Sequence, residues 1–195
     1  MISDPDEESL VKSVLSKDRT AFEMLINRHK GLVFHIVLPI IKNEVDREDV
    51  CQDVFLKVYE KLYTFQFKSK LSTWIGNIAF NTAISFLKKK KDELISDIFS
   101  FSEGGERQNV NLKGFIIDES PLADALIIAE ENKVLLHREI GKLTSIQRTI
   151  LLLYHQDELS LDEISVIMDM PVNTVKSHLF RARTQLKEAL IINKF

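Results

Sequence analysis

The feature that most constrains the fold is the stretch "SLDEISVIMDMPVNTVKSHLFRARTQLK" at residues 160–187. It contains two amphipathic helical patterns separated by only three or four residues, "DMPV", and this is helix-turn-helix spacing. Ser160 and Glu163 form a capping-box pattern at the start of the first helix, and Pro171 can end that helix and start the next. Asp169 stands where the generic turn has glycine, but aspartate can also adopt the left-handed conformation.

The second helix of this pair is basic, although the chain has 26 Lys+Arg against 29 Asp+Glu and a net charge of −3. A DNA recognition helix needs polar groups near its start for base edges and cations for phosphates. The pattern therefore predicts a contact with duplex DNA, whereas the plainer interpretation is a solvated charged face. The residues that this helix would expose are Thr174, Lys176, Ser177, His178, Arg181 and Arg183.

The charge distribution divides the chain into three parts. Residues 1–91 carry a net charge of +3, residues 92–135 carry −7 and residues 136–195 carry +1. Hydrophobic periodicity is lost between residues 92 and 120, and there are only six Gly and four Pro, which favours helices with short connections. We predict an all-α protein of two small helical domains, 5–91 and 121–195, joined by a flexible acidic linker at 92–120.

The helical pattern of the first domain predicts one helix over residues 7–30. A second helix is expected to follow Asp46 as its N-cap, with Asp49 in capping-box position. A third is expected to begin with Ser72 as its N-cap and to end at the lysine cluster Lys88–Lys91, where positive charge is favourable.

Aromatic and basic residues alternate in the loop "YTFQFKSKLS" before the third helix. Phe65 and Phe67 lie beside Lys68 and Lys70, and aromatics next to cations suit single-stranded nucleic acid. Trp74 lies at core spacing on the helix that follows, so packing in the core is its alternative role.

Three segments in this order resemble an extracytoplasmic-function (group IV) RNA polymerase sigma factor of the sigma-70 family. They are "DREDVCQDVFLKVYEKLYTF", "LSTWIGNIAFNTAISFLKKKK" and "KLTSIQRTILLLYHQDELSLDEISVIMDMPVNTVKSHLFRARTQLK". The resemblance spans residues 8–190. It implies a sigma-2-like first domain, which binds core polymerase and the −10 promoter element, and a sigma-4-like second domain, which reads the −35 element.

The resemblance also implies roles for individual residues. Contact with the clamp helices of the polymerase beta-prime subunit would fall to Asp49, Gln52, Asp53, Phe55 and Lys57. Recognition and melting of the −10 element would fall to Phe65, Phe67, Lys68, Ser72, Thr73, Trp74, Asn77 and Asn81. Reading of the −35 element would fall to the exposed residues of the basic helix, with Phe180 among them.

The implied partners are core polymerase, through its clamp helices and its beta flap, promoter DNA and an anti-sigma factor, with no cofactor and no small-molecule substrate. The apolar faces around Val54–Leu62 and Ile150–Tyr154 are candidate docking surfaces for the anti-sigma factor. An acidic N-terminus, no long apolar run and a single Cys favour the cytoplasm. Two departures from the family pattern bear on which promoter sequence is recognised. Ile75-Gly76 stands where the family commonly has a bulkier pair, and His178 stands where it frequently has an arginine.

Other classes of protein remain open on the sequence alone. A free-standing helix-turn-helix regulator would explain residues 136–195 but not the earlier motifs. A degenerate paralogue that binds polymerase without starting transcription is also compatible. An enzyme is disfavoured because the five His residues are scattered and no phosphate loop, nucleophile elbow or zinc pattern occurs.

Overall fold

The computed structural model describes residues 5–98 and 135–192, and within these ranges the chain is helical with no strand. Four α-helices and one short 3-10 turn make up the N-terminal unit. Four α-helices make up the C-terminal unit. The predicted all-α class is confirmed, while most of the predicted acidic linker lies outside the described residues.

The first two helices, α1 (Pro5–Leu15) and α2 (Arg19–Ile40), are separate. Lys17 turns the chain with a φ of 67°, and the Asp18 carboxylate accepts hydrogen bonds from the backbone N–H groups of Thr20 and Ala21. This N-cap starts α2 afresh, so the prediction of one helix over residues 7–30 is wrong. The apolar spacing continues across the break and conceals it.

Helix α3 (Glu44–Lys61) begins one turn earlier than predicted. Its N-cap is Asn43, whose side-chain oxygen accepts from the backbone N–H of Asp46. The prediction of Asp46 as N-cap is therefore wrong. A 3-10 turn, Leu62–Thr64, follows α3 and leads into the aromatic loop.

Helix α4 (Leu71–Ile98) begins before Ser72 and continues beyond the lysine cluster. Ser72 therefore lies inside the first turn and is not the N-cap. The helix also extends seven residues past position 91, into the stretch predicted to be linker. Lysines do not stop a helix by themselves, since straight-chain residues are good helix formers.

The C-terminal unit comprises α5 (residues 135–142), α6 (Ser145–His155), α7 (Leu161–Met168) and α8 (Val172–Ile192). Capping boxes start α6 at Thr144 and α7 at Ser160, and the capping box predicted at Ser160 is confirmed. Asp169 ends α7 in the left-handed conformation, with a φ of 49°. The Ser165 hydroxyl donates to the Met170 carbonyl across this turn, at 2.6 Å.

The two units pack against each other through α2 and α4. Helix α2 contacts α4 on one side and α6 on the other, and α4 contacts α7. The two units are joined into one apolar core by side chains that are wholly buried, among them Ile36 on α2, Ile75 on α4 and Ile167 on α7. A single core of this kind means that α7 is buried on α4 as well as on its own helix-turn-helix partner.

Candidate nucleic-acid interface

The basic helix α8 has one buried stripe and one open face. Val175, Leu179, Ala182 and Leu186 are buried against the rest of the C-terminal unit. At about 100° per residue, Ser177 and Arg181 lie on the opposite side of the helix. Both are exposed, and Phe180 is 71% exposed beside them. The predicted −35 residues Thr174 and Lys176 are also exposed, while His178 is half-buried.

Arg183 is separated from this face, although the sequence groups it with Arg181. Its guanidinium lies 4.9 Å from the centre of the Tyr154 ring, and its Nη2 lies 3.1 Å from Nε2 of His155. Burial and then the nearby charge of Arg183 hold the pKa of His155 below its ordinary value. Arg183 therefore holds α8 against α6, in addition to any contact with phosphate.

The predicted polymerase-binding residues share the outer face of α3. Asp49, Gln52 and Asp53 are exposed, while Val50, Val54 and Val58 on the other face are buried. Lys57 pairs with Asp53 at 3.1 Å. Phe55 is half-buried and packs against the core, so only its edge is available.

An exposed apolar stripe runs along the outer face of α3 and onto the 3-10 turn, partly within the predicted docking range Val54–Leu62. Leu56 is 60% exposed, Tyr63 is 76% exposed and Tyr59 lies between them, and at about 100° per residue they share the outer face with Asp49, Gln52 and Asp53. These three residues are three and four positions apart, and this helical spacing is the sequence signal that could have identified the stripe. Other apolar residues of the two proposed docking ranges, such as Val54 and Ile150, are buried. The exposed apolar area on this face of α3 is therefore this stripe.

The loop before α4 holds an aromatic cluster. The Phe65 ring centre lies 4.7 Å from that of Phe67 and 5.4 Å from that of Trp74. Phe65 is buried, whereas Phe67 and Trp74 are half-buried. Phe67 has a φ of 55°, a strained conformation for an aromatic residue. A strained backbone conformation of this kind persists where the surrounding packing holds the residue in place.

The predicted −10 residues of α4 differ in accessibility. Asn81 is exposed and Asn77 is half-buried, and the Asn81 amide donates to the Asn77 side-chain oxygen at 3.1 Å. Thr73 is buried and its hydroxyl has no hydrogen-bond partner. Lys68 is exposed in the loop, and Ser72 is half-buried. Thr73 thus supports the packing of α4, as buried Phe65 does from the loop, and the exposed members of the set are Lys68 and Asn81.

A groove of 750 Å³ runs between α5, α6 and α8. Its walls are apolar and include Leu136, Ile140 and Ile191, and its rim carries Arg183 and Lys187. Arg148 fixes one wall, because its guanidinium donates to the carbonyls of α5 and of Leu143. An amphipathic helix is the kind of ligand that such a groove fits.

None of the described helices is long and apolar enough to cross a membrane. Within the same parts of the chain, no three His, Cys, Asp or Glu side chains form a group that could hold a metal ion.

Two family models match the chain. Residues 25–93 match the model described as Sigma-70 region 2, and residues 133–186 match Sigma-70, region 4. The first match contains α3, the aromatic loop and most of α4. The second contains most of the groove and nearly all of the helix-turn-helix.

Curated relatives match along almost the whole chain. The ECF RNA polymerase sigma-E factor of Escherichia coli (strain K12) is 33% identical over 178 residues, which are 91% of this chain and 90% of that protein. The ECF RNA polymerase sigma factor SigW of Bacillus subtilis (strain 168) is 29% identical over 180 residues, or 92% and 94% of the two chains.

Solved structures share the fold. The sigma factor RpoE of Bartonella quintana, in complex with the anti-sigma factor NepR, superposes with a TM-score of 0.62 at 19% identity. That comparison covers 88% of this chain and 97% of RpoE. CnrH in complex with the cytosolic domain of CnrY gives a TM-score of 0.58 at 20% identity, over 94% and 96% of the chains.

Proposed function

Because this chain belongs to the extracytoplasmic-function sigma factors of the sigma-70 family, we propose that it binds core RNA polymerase and directs it to specific promoters. In this proposal the N-terminal unit, taken as residues 5–91, binds polymerase and the −10 element. The C-terminal unit, residues 121–195, reads the −35 element, and residues 92–120 link them. The observation that carries the proposal is the presence of both sigma regions, in order, on one chain.

Polymerase binding is assigned to the outer face of α3. The exposed carboxylates of Asp49 and Asp53 and the amide of Gln52 provide the charged and polar part of this surface. The apolar stripe of Leu56, Tyr59 and Tyr63 provides the area that binding energy requires, since exposed aromatics and large aliphatic groups are typical interface anchors. Phe55 and Lys57 complete the surface at its edge.

Recognition of the −10 element is assigned to the aromatic loop and the first turns of α4. The half-buried rings of Phe67 and Trp74 have faces on which an unpaired base could stack, and stacking contributes about 1–3 kcal/mol per base. Lys68 supplies positive charge for the backbone, and Ser72, Asn77 and Asn81 supply hydrogen-bonding groups for base edges. Phe65 and Thr73 support this platform from inside.

Recognition of the −35 element is assigned to the open face of α8. Ser177, Phe180 and Arg181 lie on it together with Thr174 and Lys176, and a helix with this mixture can read a major groove. His178 and Arg183 lie at its edges. Few cations are available, and each neutralised phosphate contributes a slope of only about −0.9 in log K against log salt. The free chain should bind duplex DNA weakly, and polymerase would raise the affinity by tethering both units.

The groove between α5, α6 and α8 is proposed to hold the polymerase beta flap. Its apolar walls and basic rim, at Arg183 and Lys187, suit an amphipathic helix that carries acidic residues. An anti-sigma factor would compete for the same surfaces on α3 and at this groove. On this account the protein acts in the cytoplasm, and it acts by binding rather than by catalysis.

A double substitution in α4 tests the assignment of roles. Trp74→Ala with Asn81→Ala should abolish promoter opening, measured by permanganate reactivity of unpaired thymines, while polymerase binding is retained in a gel-filtration assay. Transcription that survives this double change would contradict the role of α4. A chain that fails to bind core polymerase at all would contradict the proposed function.

A further inference from the structure

The residue at the N-cap position of α4 has no side-chain acceptor for the first turn of that helix. Helix α4 begins at Leu71, and the backbone N–H of Trp74 donates to the Lys70 carbonyl at 3.2 Å, which places Lys70 at the N-cap. The first N–H groups of a helix have no partner within the helix, and a lysine side chain carries only donors. The acceptor that a helix start needs must therefore come from outside α4 and its N-cap.

Glu7 on α1 supplies an acceptor at this point. The backbone N–H of Leu71 donates to Oε2 of Glu7 at 3.4 Å, across 64 positions of the chain. Glu7 is half-buried, and it lies on the same face of α1 as the buried side chains of Val11 and Val14. Its negative charge also faces the positive end of α4. A carboxylate on the inward face of α1 thus caps the proposed −10-binding helix.

Helix α1 contacts the beginning of the aromatic loop as well as its end. It packs against the 3-10 turn Leu62–Thr64, and the loop leaves this turn at Phe65, whose N–H donates to the Leu62 carbonyl at 3.0 Å. The loop therefore starts and ends at points that α1 holds. Neither contact involves the C-terminal unit, so both are independent of the position of that unit.

The loop between these two points has a conformation that requires such support. Phe67 has a φ of 55°, and a strained backbone persists only where the surrounding structure fixes it. A loop that is already held in its binding conformation also loses less conformational entropy when a ligand binds. Fixing both ends of the loop therefore keeps the rings of Phe67 and Trp74 in place for an unpaired base.

We propose that Glu7 is a positioning residue for the −10-binding loop and acts through the backbone of Leu71. Glu7 lies outside residues 25–93, the stretch that matches Sigma-70 region 2. It does not contact the nucleic acid itself. By capping α4 it fixes the end of the loop next to which Lys68 and Trp74 lie. The inference rests on the proposed function for its nucleic-acid target, whereas the cap is independent of that function.

Hydrogen exchange of the free full-length chain, measured by NMR, tests the cap directly. Glu7→Ala removes the acceptor, and Glu7→Gln keeps a side-chain oxygen that can accept from the Leu71 N–H. Glu8→Ala is the matched control, because it removes a carboxylate from the same turn of α1, where Glu8 pairs with Lys12. We expect the Leu71 amide to exchange about fivefold faster in Glu7→Ala, the effect of losing a helix cap, and near the parent rate in the other two. Equal exchange in the two alanine variants would overturn the proposal.

Promoter opening by the holoenzyme tests the consequence for the loop. The probe is a promoter that the parent chain transcribes from a library with core polymerase, and opening is followed by permanganate reactivity of unpaired thymines at saturating polymerase. We expect Glu7→Ala to slow opening by the same factor of about five, with Glu7→Gln and Glu8→Ala near the parent rate. A purely structural role of Glu7 would lower the melting temperature and leave this rate unchanged. Equal opening rates for Glu7→Ala and Glu8→Ala would overturn the positioning role.

The two measurements distinguish failure of the inference from failure of the proposed function. Faster exchange of the Leu71 amide in Glu7→Ala with an unchanged opening rate would refute the positioning role and leave the proposed function intact. A parent chain that never binds core polymerase would refute the proposed function and the −10 role of the loop with it. The exchange of Leu71 would then still decide whether Glu7 caps α4.

Discussion

Nδ1 of His35 lies 2.9 Å from the carboxylate oxygen Oδ2 of Asp157, a residue 122 positions later in the chain. His35 is on α2 and Asp157 directly follows α6, and both side chains are mostly buried. The pair therefore joins the N-terminal unit to the C-terminal unit at a place remote in sequence from the α4–α7 contact.

A double-mutant cycle on His35→Ala and Asp157→Ala should give a coupling free energy of about 1 kcal/mol. A typical intramolecular hydrogen bond contributes about this much, and the value is read from urea unfolding of the four proteins at pH 7.5. The exposed pair Arg19 and Glu23 on α2 serves as control, with an expected coupling below about 0.5 kcal/mol. A coupling of zero for His35 and Asp157 would mean that the units are not docked in solution.

The buried ring of His29 makes the fold sensitive to acid. Burial, and then the charge of Arg28, lower the pKa of His29 from 6.5 to about 4, and its Nε2 has no hydrogen-bond partner. Between these values the unfolded chain binds more protons than the folded one, so stability is full above pH 6.5 and is lost as the pH falls. The loss at pH 5.0 should be about 2 kcal/mol.

Replacing His29 by Leu should remove that part of the pH dependence. Urea unfolding at pH 7.5 and 5.0 gives the difference for each protein, and the drop should be smaller in the variant by about 2 kcal/mol. Parallel losses in the two proteins would show that another group carries the acid sensitivity.

We expect the exposed stripe on α3 to contribute a large part of the free energy of polymerase binding. Tyr63→Ala should weaken binding to core polymerase by about tenfold, which corresponds to about 1.4 kcal/mol. Because the side chain is exposed, the free energy of unfolding should change by less than about 0.5 kcal/mol. Met24→Ala on α2, at an exposed side chain outside the proposed surface, is the control and should bind polymerase normally.

Arg181 and Arg183 should respond differently to substitution, although the sequence presents them as equivalent. Arg181→Ala should weaken binding of a −35 duplex by the holoenzyme and lower the magnitude of the salt slope by about 1. Arg183→Ala should instead lower the melting temperature of the free chain, because it loses its contacts with Tyr154 and His155. Identical effects of the two changes would contradict the placement of Arg183 at the edge of the face.

Substitutions at Thr144 and Ser72 distinguish a residue that caps a helix from a residue that lies inside the first helical turn. Thr144→Ala removes the acceptor for the Gln147 backbone N–H and should cost about 1 kcal/mol in urea unfolding. Ser72→Ala should cost less than about 0.5 kcal/mol, because α4 already begins at Leu71. A larger cost at Ser72 than at Thr144 would contradict the observed helix start.

Local signals predicted the C-terminal unit well. The cap at Ser160 depends only on residues three positions apart, and the turn at Asp169 depends on one residue's tolerance of positive φ. The break at Lys17 was missed because the apolar spacing of α1 continues in phase into α2. Local sequence patterns therefore predict a helix boundary where a capping residue determines it. They do not predict the boundary where the hydrophobic periodicity of two successive helices runs on without a change of phase.

The packing of the two units could not be predicted from the same patterns. Ile167 has the spacing expected for the helix-turn-helix core, and nothing in that spacing indicates that its partner is Gly76, 91 positions earlier. From the sequence Gly76 was only a cost within a helix and a departure from the family pattern. Its role is to give Ile167 room, because a Cβ atom at Gly76 would lie only 2.8 Å from Cδ1 of that residue, and only a three-dimensional arrangement supplies this distance.

Transcription from a promoter library tests the central claim most directly. The purified chain is mixed with bacterial core polymerase and the library, and the 5′ ends of the transcripts are sequenced. The account predicts start sites that share two upstream motifs at a fixed spacing, and these motifs should be lost with Trp74→Ala and Asn81→Ala. Transcripts without shared motifs, or no binding of the chain to core polymerase, would contradict it.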